Sequence, residues 1–469
     1  MGCRRSVLFI SLVFVFAAAI LFISCGGGNS GNSSQPGMVN LTMSDPATCA
    51  APGGPFSHIY VTVTDVKIHQ SASASNSDSG WVDLTPDLKN NPVQLDLLGA
   101  ASQCFLAHLG STGIQPGSYE QIRILLASGT VNLNANKCGG MANCAMLTTD
   151  LSNTPLPLQL SSESQTGIKI PSGQIAGGKF TIGAGETRDL NIDFNACASI
   201  VVQSNGQYRL KPVLHAGEVA LNANSISGTV VDGTTTLPIV GGHTVVALEQ
   251  KDGAGVDRVM METVADASGG FAFCPVPAGN YDIVAVAENG TGISYAATVI
   301  TGVQPGNSLG KVPLTPAAAP ASITGQITTT TGSAGTVADL SVSALQSIGS
   351  GIFVTVPLAH QSMATATLTT AAGVACPANT DCATYTLSVP AMNPSMGTFN
   401  TSGTQTPSAP ASGAVGYTVD AIAFVPGSAG QLDCSPSDLQ TSQTAASAAL
   451  TVTAGGSATV ATLGFSGCQ

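Results

Sequence analysis

From residue 38 onward the chain is written in short alternating stretches. In His58-Ile59-Tyr60-Val61-Thr62-Val63 the residues Ile59, Val61 and Val63 share one face, and then Val66 and Ile68 take the other parity. A β-bulge near Thr64-Asp65 restores a single apolar face. The same period-two pattern predicts strands at 81–84, 93–97, 119–127, 130–133, 168–170, 179–182, 187–194 and 208–213, with turns at Pro116-Gly117-Ser118 and Ala184-Gly185-Glu186. A second block runs through Ile226-Ser227-Gly228-Thr229-Val230, Thr244-Val245-Val246-Ala247-Leu248, Phe271-Ala272-Phe273 and Tyr281 to Val286. Gly269-Gly270 and Ala278-Gly279 fall at its turns, where a positive φ is expected.

The third block repeats the second. Ile323-Thr324-Gly325-Gln326-Ile327 falls on Ile226 to Val230 at an offset of 323 − 226 = 97, and Val342-Ser343-Ala344-Leu345 falls on Val245 to Leu248 in the same register. Tyr385 to Ala391 echoes Phe271 to Ala278, and Gly416 to Ile422 echoes Asn280 to Val286. Met392 to Ala414 is an insertion rich in Pro, Ser, Thr and Gly, expected as a long exposed loop. Thr315 to Pro320 is expected as a Pro-stiffened linker. The predicted fold class is therefore all-β, as tandem antiparallel β-sandwich domains.

The amino terminus has a different pattern. Arg4 and Arg5 precede an apolar run from Val7 to Ile23, and Ser24-Cys25-Gly26 closes it. Charge, then an apolar core, then small residues is the pattern of a secretory signal. The closing cysteine resembles the lipobox of bacterial lipoproteins. That resemblance implies cleavage before Cys25 and acylation of its thiol by membrane lipid, palmitate included. Phe22 stands where the family usually has Leu. Two other readings also tether the chain: a retained helix, since the run approaches the roughly 20 residues that cross a bilayer, and the myristoylation pattern of Met1 to Ser6. Residues 1–24 are thus expected as the signal and 25–37 as lipidated cysteine and flexible Gly/Ser/Asn tether. Gly26 rather than Asp after the cysteine implies, by the sorting logic of this family, the outer membrane.

Composition supports strands over helices. Only 9% of the 469 residues are charged, and Gly alone numbers 54. Loss of the signal removes two of the 14 basic residues and none of the 26 acidic ones, so the net charge moves from −12 to −14. No basic cluster is present to meet a polyanion, which excludes nucleic acid as a partner.

The chain has 12 cysteines, and in an exported chain they are expected to oxidise. Cys138–Cys144 and Cys376–Cys382 repeat one spacing and are expected as stapled loops. Neither has the second ligand couple of a zinc site. Cys434 and Cys468 are expected to bridge within the third block. Cys104 is expected to pair with Cys49 or Cys197, with either one thiol left free or Cys274 bridging domains.

Two family resemblances follow from motif order. Tyr60-Val61-Thr62-Val63, Gly80-Trp81-Val82-Asp83-Leu84, Pro116 to Arg123, Gln165 to Lys169 and Leu210-Lys211-Pro212-Val213 look like the domain-of-unknown-function 4382 family of bacterial surface lipoproteins, over residues 38–217. That resemblance implies no known activity. The second block, 224–316, is similar to the carboxypeptidase regulatory-like family, a transthyretin-like sandwich grouped with carbohydrate-binding-like folds. The third domain covers 321–469.

Catalytic candidates are few. Gly306-Asn307-Ser308-Leu309-Gly310 fits G-x-S-x-G, but a strand rather than a helix is expected after it. His58 and His69 have opposite parity and form no ligand pair. Asp232, Asp252 and Asp266 sit in Asp-Gly or Asp-x-x-Gly turns without the oxygen density of a calcium loop. Trp81, the one tryptophan, is the candidate for stacking on a sugar, against the commoner role of a half-buried strand aromatic. The expected function is a membrane-anchored, non-catalytic lipoprotein without cofactor or metal. It would present sandwiches for ligand binding or adhesion, with carbohydrate or an envelope protein as the candidate partner. The alternatives are an envelope polysaccharide hydrolase and a purely structural spacer.

Overall fold

The computed structural model describes residues 35–44, 56–75, 77–98, 107–133, 135–160, 167–170, 172–196, 199–202, 206–210, 213–219, 225–331, 338–373, 375–424, 433–440 and 450–468. These residues form strands joined by turns and short 3-10 segments. The expected signal 1–24, Cys25, tether residues 26–34, Cys49, Cys104, Cys197 and the side chain of Cys434 lie outside the described residues, while Gly37, expected as the end of the tether, opens the first strand.

In the first module a four-stranded sheet packs on a nine-stranded one. The strand Phe56–His69 runs through the larger sheet, and its register against Gln121–Leu126 shifts between Val63 and Asp65. That bulge lets Ile59, Val61, Val63, Val66 and Ile68 all enter the core, as their change of parity requires. The smaller sheet pairs Gly37–Ser44 in parallel with Thr187–Phe194. Strand alternation sends Val39, Leu41 and Met43 inward and leaves Asn40, Thr42 and Ser44 on the outer face. There Thr42 Oγ1 donates to Asn191 Oδ1 at 3.0 Å and Asn191 Nδ2 donates to Ser44 Oγ at 2.8 Å. The expected strand at 130–133 is reduced to one bridge, Thr130 to Met141, because the chain there enters the Cys138–Cys144 loop.

The second and third modules share one sheet. The strand Val256–Val264 of the second pairs in parallel with Ile352–Thr355 of the third, matching Val256 to Phe353 and Asp257 to Val354. Both pairs are 97 residues apart, so equivalent positions of the repeat meet at the seam. The shared sheet carries one core cluster on each of its faces. The strand Tyr281–Glu288 shows the consequence. Its Ile283, Ala285 and Ala287 join the second module's own core, while Val284 and Val286 join the third module's.

The insertion is exposed over much of its length, as expected, but it is not a loop throughout. Its strand Ser395–Thr398 pairs in parallel with Thr298–Val303, and the Lys311 N–H donates to Gly403 O at 2.9 Å while the Gln405 N–H donates to Lys311 O at 2.8 Å. The arm thus adds backbone to both layers of the second sandwich. A composition of Pro, Ser, Thr and Gly carries no periodicity, yet edge pairing needs only backbone donors and acceptors. The 315–320 linker is also tied down, since Ala317 N–H donates to Ser294 O at 2.9 Å. Of the expected turn glycines, Gly269 takes φ +83°, where a Cβ would lie 2.2 Å from Val230 O. Gly279 is not at positive φ and instead makes room for the Tyr281 ring, 3.0 Å from where a Cβ would stand.

Candidate functional site

The third module's strand Asp339–Gly349 alternates strictly. Leu340, Val342 and Ala344 are buried in its core, which turns Asp339, Ser341 and Ser343 to the opposite face. On the neighbouring strand Ala366–Thr369 the register places Thr369 opposite Asp339 and Thr367 opposite Ser341. Ser343 Oγ and Thr365 Oγ1 lie 3.1 Å apart. The result is a ladder of paired hydroxyls on the non-core face of the shared sheet, continued sideways by Asp420 opposite Ser343 and Ile422 opposite Ser341.

The first module roofs this ladder without touching all of it. At one end Arg209 reaches across, its Nη2 2.9 Å from Asp339 Oδ1 and 2.5 Å from Thr369 Oγ1. At the other end Arg258 of the second module donates from Nε to Asp252 Oδ2 at 3.0 Å and from Nη1 to Asp420 Oδ2 at 2.5 Å. Over the ladder, beside the Arg258 guanidinium, lies a cavity of about 350 Å³. The first module supplies Asn195, Val213 and His215 to its wall. The second supplies Asp252, Arg258, Met261 and Glu262, and the third supplies Ser341, Ser343, Thr355, Thr365 and Thr367.

The titratable groups in this wall are shifted in different directions. Burial raises the Glu262 carboxyl above its ordinary range, against the Ala364 N–H that donates to its Oε2 at 2.6 Å. Burial pushes His215 down to about 4, so its ring is uncharged at neutral pH. Burial works against ionisation of Asp252 as well, but the N–H of Val256 and the Arg258 guanidinium outweigh it and hold that carboxyl below its usual range. Beside the cavity, Asp193 faces His215 across paired strands, and burial raises Asp193 to about 8. Asp193 Oδ2 and His215 Nδ1 have no hydrogen-bond partner, and they border a void of about 10 Å³, the size of one water.

The residues singled out from sequence lie elsewhere. Trp81 is half-buried outside the cavity. Its Nε1 donates to Ser75 O at 2.8 Å, the Arg123 guanidinium stands 4.7 Å over the ring, and His69 is tilted against it at 5.0 Å. A sugar would have to displace these neighbours. Ser308 opens the strand Ser308–Leu314 rather than a helix, so no nucleophile elbow forms. Asp232, Asp252 and Asp266 each cap their own turn; Asp266 Oδ1, for example, accepts from the N–H groups of Ser268 and Gly270 at 2.8 and 2.9 Å. His58 pairs with Asp96 at 2.6 Å. Among the described residues no group of three His, Cys, Asp or Glu is placed to hold a metal ion.

Cys138 and Cys144 are bonded, as are Cys376 and Cys382. Cys274 and Cys468 are also disulfide-bonded, each to a partner whose side chain lies outside the described residues. Sequence reasoning missed the hydroxyl ladder. Its only local signal is the alternation Leu340-Ser341-Val342-Ser343, which marks an outward polar row without saying what covers it.

Comparison with known proteins finds the family described as Domain of unknown function (DUF4382) over residues 36–212. No curated protein matches. Among solved structures, the Bacillus anthracis TIE protein is 8% identical over 92% of this chain with a TM-score of 0.16, and this chain spans 50% of its length. Shaft pilin spaA from Lactobacillus rhamnosus GG is 12% identical over 60% of this chain and 98% of its own, with a TM-score of 0.17. A DUF3823 family protein from Bacteroides uniformis ATCC 8492 is 11% identical over 46% and 98%, with a TM-score of 0.16.

Proposed function

We propose that the protein is an exported, lipid-anchored, non-catalytic lipoprotein that presents its β-modules as a ligand-binding platform at the outer membrane. The observation that carries the binding half is the junction cavity, a concave site built from all three modules, since convergent polar groups in a single pocket mark a binding site. The disulfides support export, because such bonds persist in oxidising compartments. The anchor rests on Arg4, Arg5, the apolar run and Cys25. The resemblance of 224–316 to carboxypeptidase regulatory-like sandwiches agrees with a presenting scaffold.

The hydrolase alternative needs two carboxylates about 5–9.5 Å apart. The two carboxyl groups of this wall are already engaged, Asp252 by the Arg258 guanidinium and Glu262 by the Ala364 N–H. That engagement favours binding over hydrolysis.

Cys25→Ser should abolish labelling by a lipid analogue and leave an unprocessed precursor, and unchanged processing would sink the anchor. Fractionation should find the native protein in the outer membrane. A glycan and envelope-protein array on the soluble form separates a binder from a spacer.

A further inference from the structure

We infer that the junction cavity binds a small, neutral, polyhydroxylated ligand, a monosaccharide or disaccharide unit, read by the hydroxyl ladder of Ser341, Ser343, Thr365 and Thr367. This deepens the binding reading and rests on it.

Three features of the wall select that chemistry. The first is hydrogen bonding. A Ser or Thr hydroxyl both donates and accepts, as a sugar hydroxyl does. Ser343 and Thr365 are engaged with each other, whereas Ser341 and Thr367 make no side-chain hydrogen bond to the described residues. Neighbouring positions of the ladder stand about 4.5–5.5 Å apart across the strands, on the scale of a pyranose ring.

Charge is the second feature. Arg209 is paired with Asp339, and Arg258 is shared by Asp252 and Asp420. A phosphate or carboxylate entering here would lose water and find no unpaired cation, and a charged ligand without a partner is costly to bury. Of the wall's carboxyl groups, Asp252 is paired with Arg258, and Glu262 accepts the Ala364 N–H and has its charged form disfavoured by burial, so the wall is poorly matched to an ammonium group.

The third feature is shape. Val213, Val259, Met261 and Ile422 give the cavity apolar patches against which ring C–H faces can rest. Its volume of about 350 Å³ falls at the small end of the roughly 300–1,000 Å³ of small-molecule sites. It therefore accepts a free sugar or the terminal residue of a glycan, and not the middle of a long chain.

The test is titration calorimetry on the full exported chain with glucose, galactose, mannose, xylose and their disaccharides. Each is matched by its uronic acid, amino sugar or phosphate ester. A free disaccharide against a longer oligomer of the same sugar distinguishes a dissolved ligand from a chain end.

At least one neutral sugar should bind, and its charged counterparts should bind more weakly. The double variant Ser341→Ala, Thr367→Val should weaken that sugar by about tenfold or more, since it removes two hydrogen-bonding groups. Ile422→Trp, at a position 38% exposed and opposite Ser341, should block entry while leaving every ladder hydroxyl in the chain. Both variants are required to keep the native circular dichroism and melting temperature.

Tighter binding of a charged counterpart overturns the neutral class. Neutral-sugar binding that survives both variants places the site elsewhere while leaving the protein a binder. Silence across the calorimetry and the array removes the binding reading along with this one.

Discussion

Asp193 and His215 show how single side chains tie stability to pH. They are a cross-strand pair behind the cavity, and burial disfavours the charged form of each: Asp193 is raised to about 8 and His215 lowered to about 4. Asp257 at the seam between the sandwiches is likewise raised to about 7, by burial and by Asp282 beside it. Unfolded references are about 3.9 for Asp and 6.5 for His. A carboxyl raised on folding stabilises fully below its unfolded value, and that contribution is lost as pH rises through the folded one. A histidine lowered on folding stabilises above its unfolded value and loses this as pH falls. Above about pH 6.5 the histidine is neutral in both states and only the carboxyls act. Stability should therefore decline between pH 6.5 and 8, each carboxyl contributing at most about 1.4 kcal/mol per pH unit. Urea unfolding at half-unit intervals checks this, and Asp193→Asn should flatten the slope. Stability that is level or rising over that interval would contradict the assignment.

Among the elements, the 392–414 arm has the most local support from one residue. Gln405 is almost fully buried, and its Nε2 donates to Leu309 O at 2.7 Å and to Asn400 O at 2.9 Å, while its Oε1 accepts from the Asn400 N–H at 3.0 Å. Gln405→Leu would leave buried backbone groups without partners, at about 1–3 kcal/mol for an unsatisfied group. The midpoint of chemical unfolding should shift accordingly, with the slope unchanged; a loss under about 0.5 kcal/mol, the range of ordinary surface substitutions, would show the arm to be peripheral. The arm also shows where sequence reasoning stops. The bulge at Thr64-Asp65 was readable because a change of parity among Ile59, Val61, Val63, Val66 and Ile68 has one economical solution. The 97-residue repeat was readable because core positions recur in register. Backbone pairing by Ser395–Thr398 leaves no mark on side-chain pattern, so its composition read as loop. The cavity was unreadable for a related reason: alternation exposes Ser341 and Ser343 on a face, but Asn195, Val213 and His215, which roof it, come from a different module.

For the molecule as a whole, the seam decides how it comes apart. If the two sandwiches were beads on a linker, each would open on its own. Instead the Thr355 N–H donates to Glu249 Oε2 at 3.1 Å and Thr355 Oγ1 to Asp257 O at 2.9 Å, so the third module's strand satisfies buried groups of the second. Val284, Val286 and Val299 of the second module sit in the third module's core, and exposing each would cost about 1.5–3 kcal/mol. The arm closes the other edge of the same sheet. Opening either sandwich alone would strip apolar surface and buried donors from its neighbour, so one cooperative transition should cover both. Native-state hydrogen exchange on the full chain tests this. The amides of Ile283 and Ala285, in the second module's interior, should open with the same free energy and denaturant dependence as those of Val342 and Ala344 in the third. A lower opening free energy confined to the third module's amides would show that the shared sheet joins the two sandwiches without coupling them.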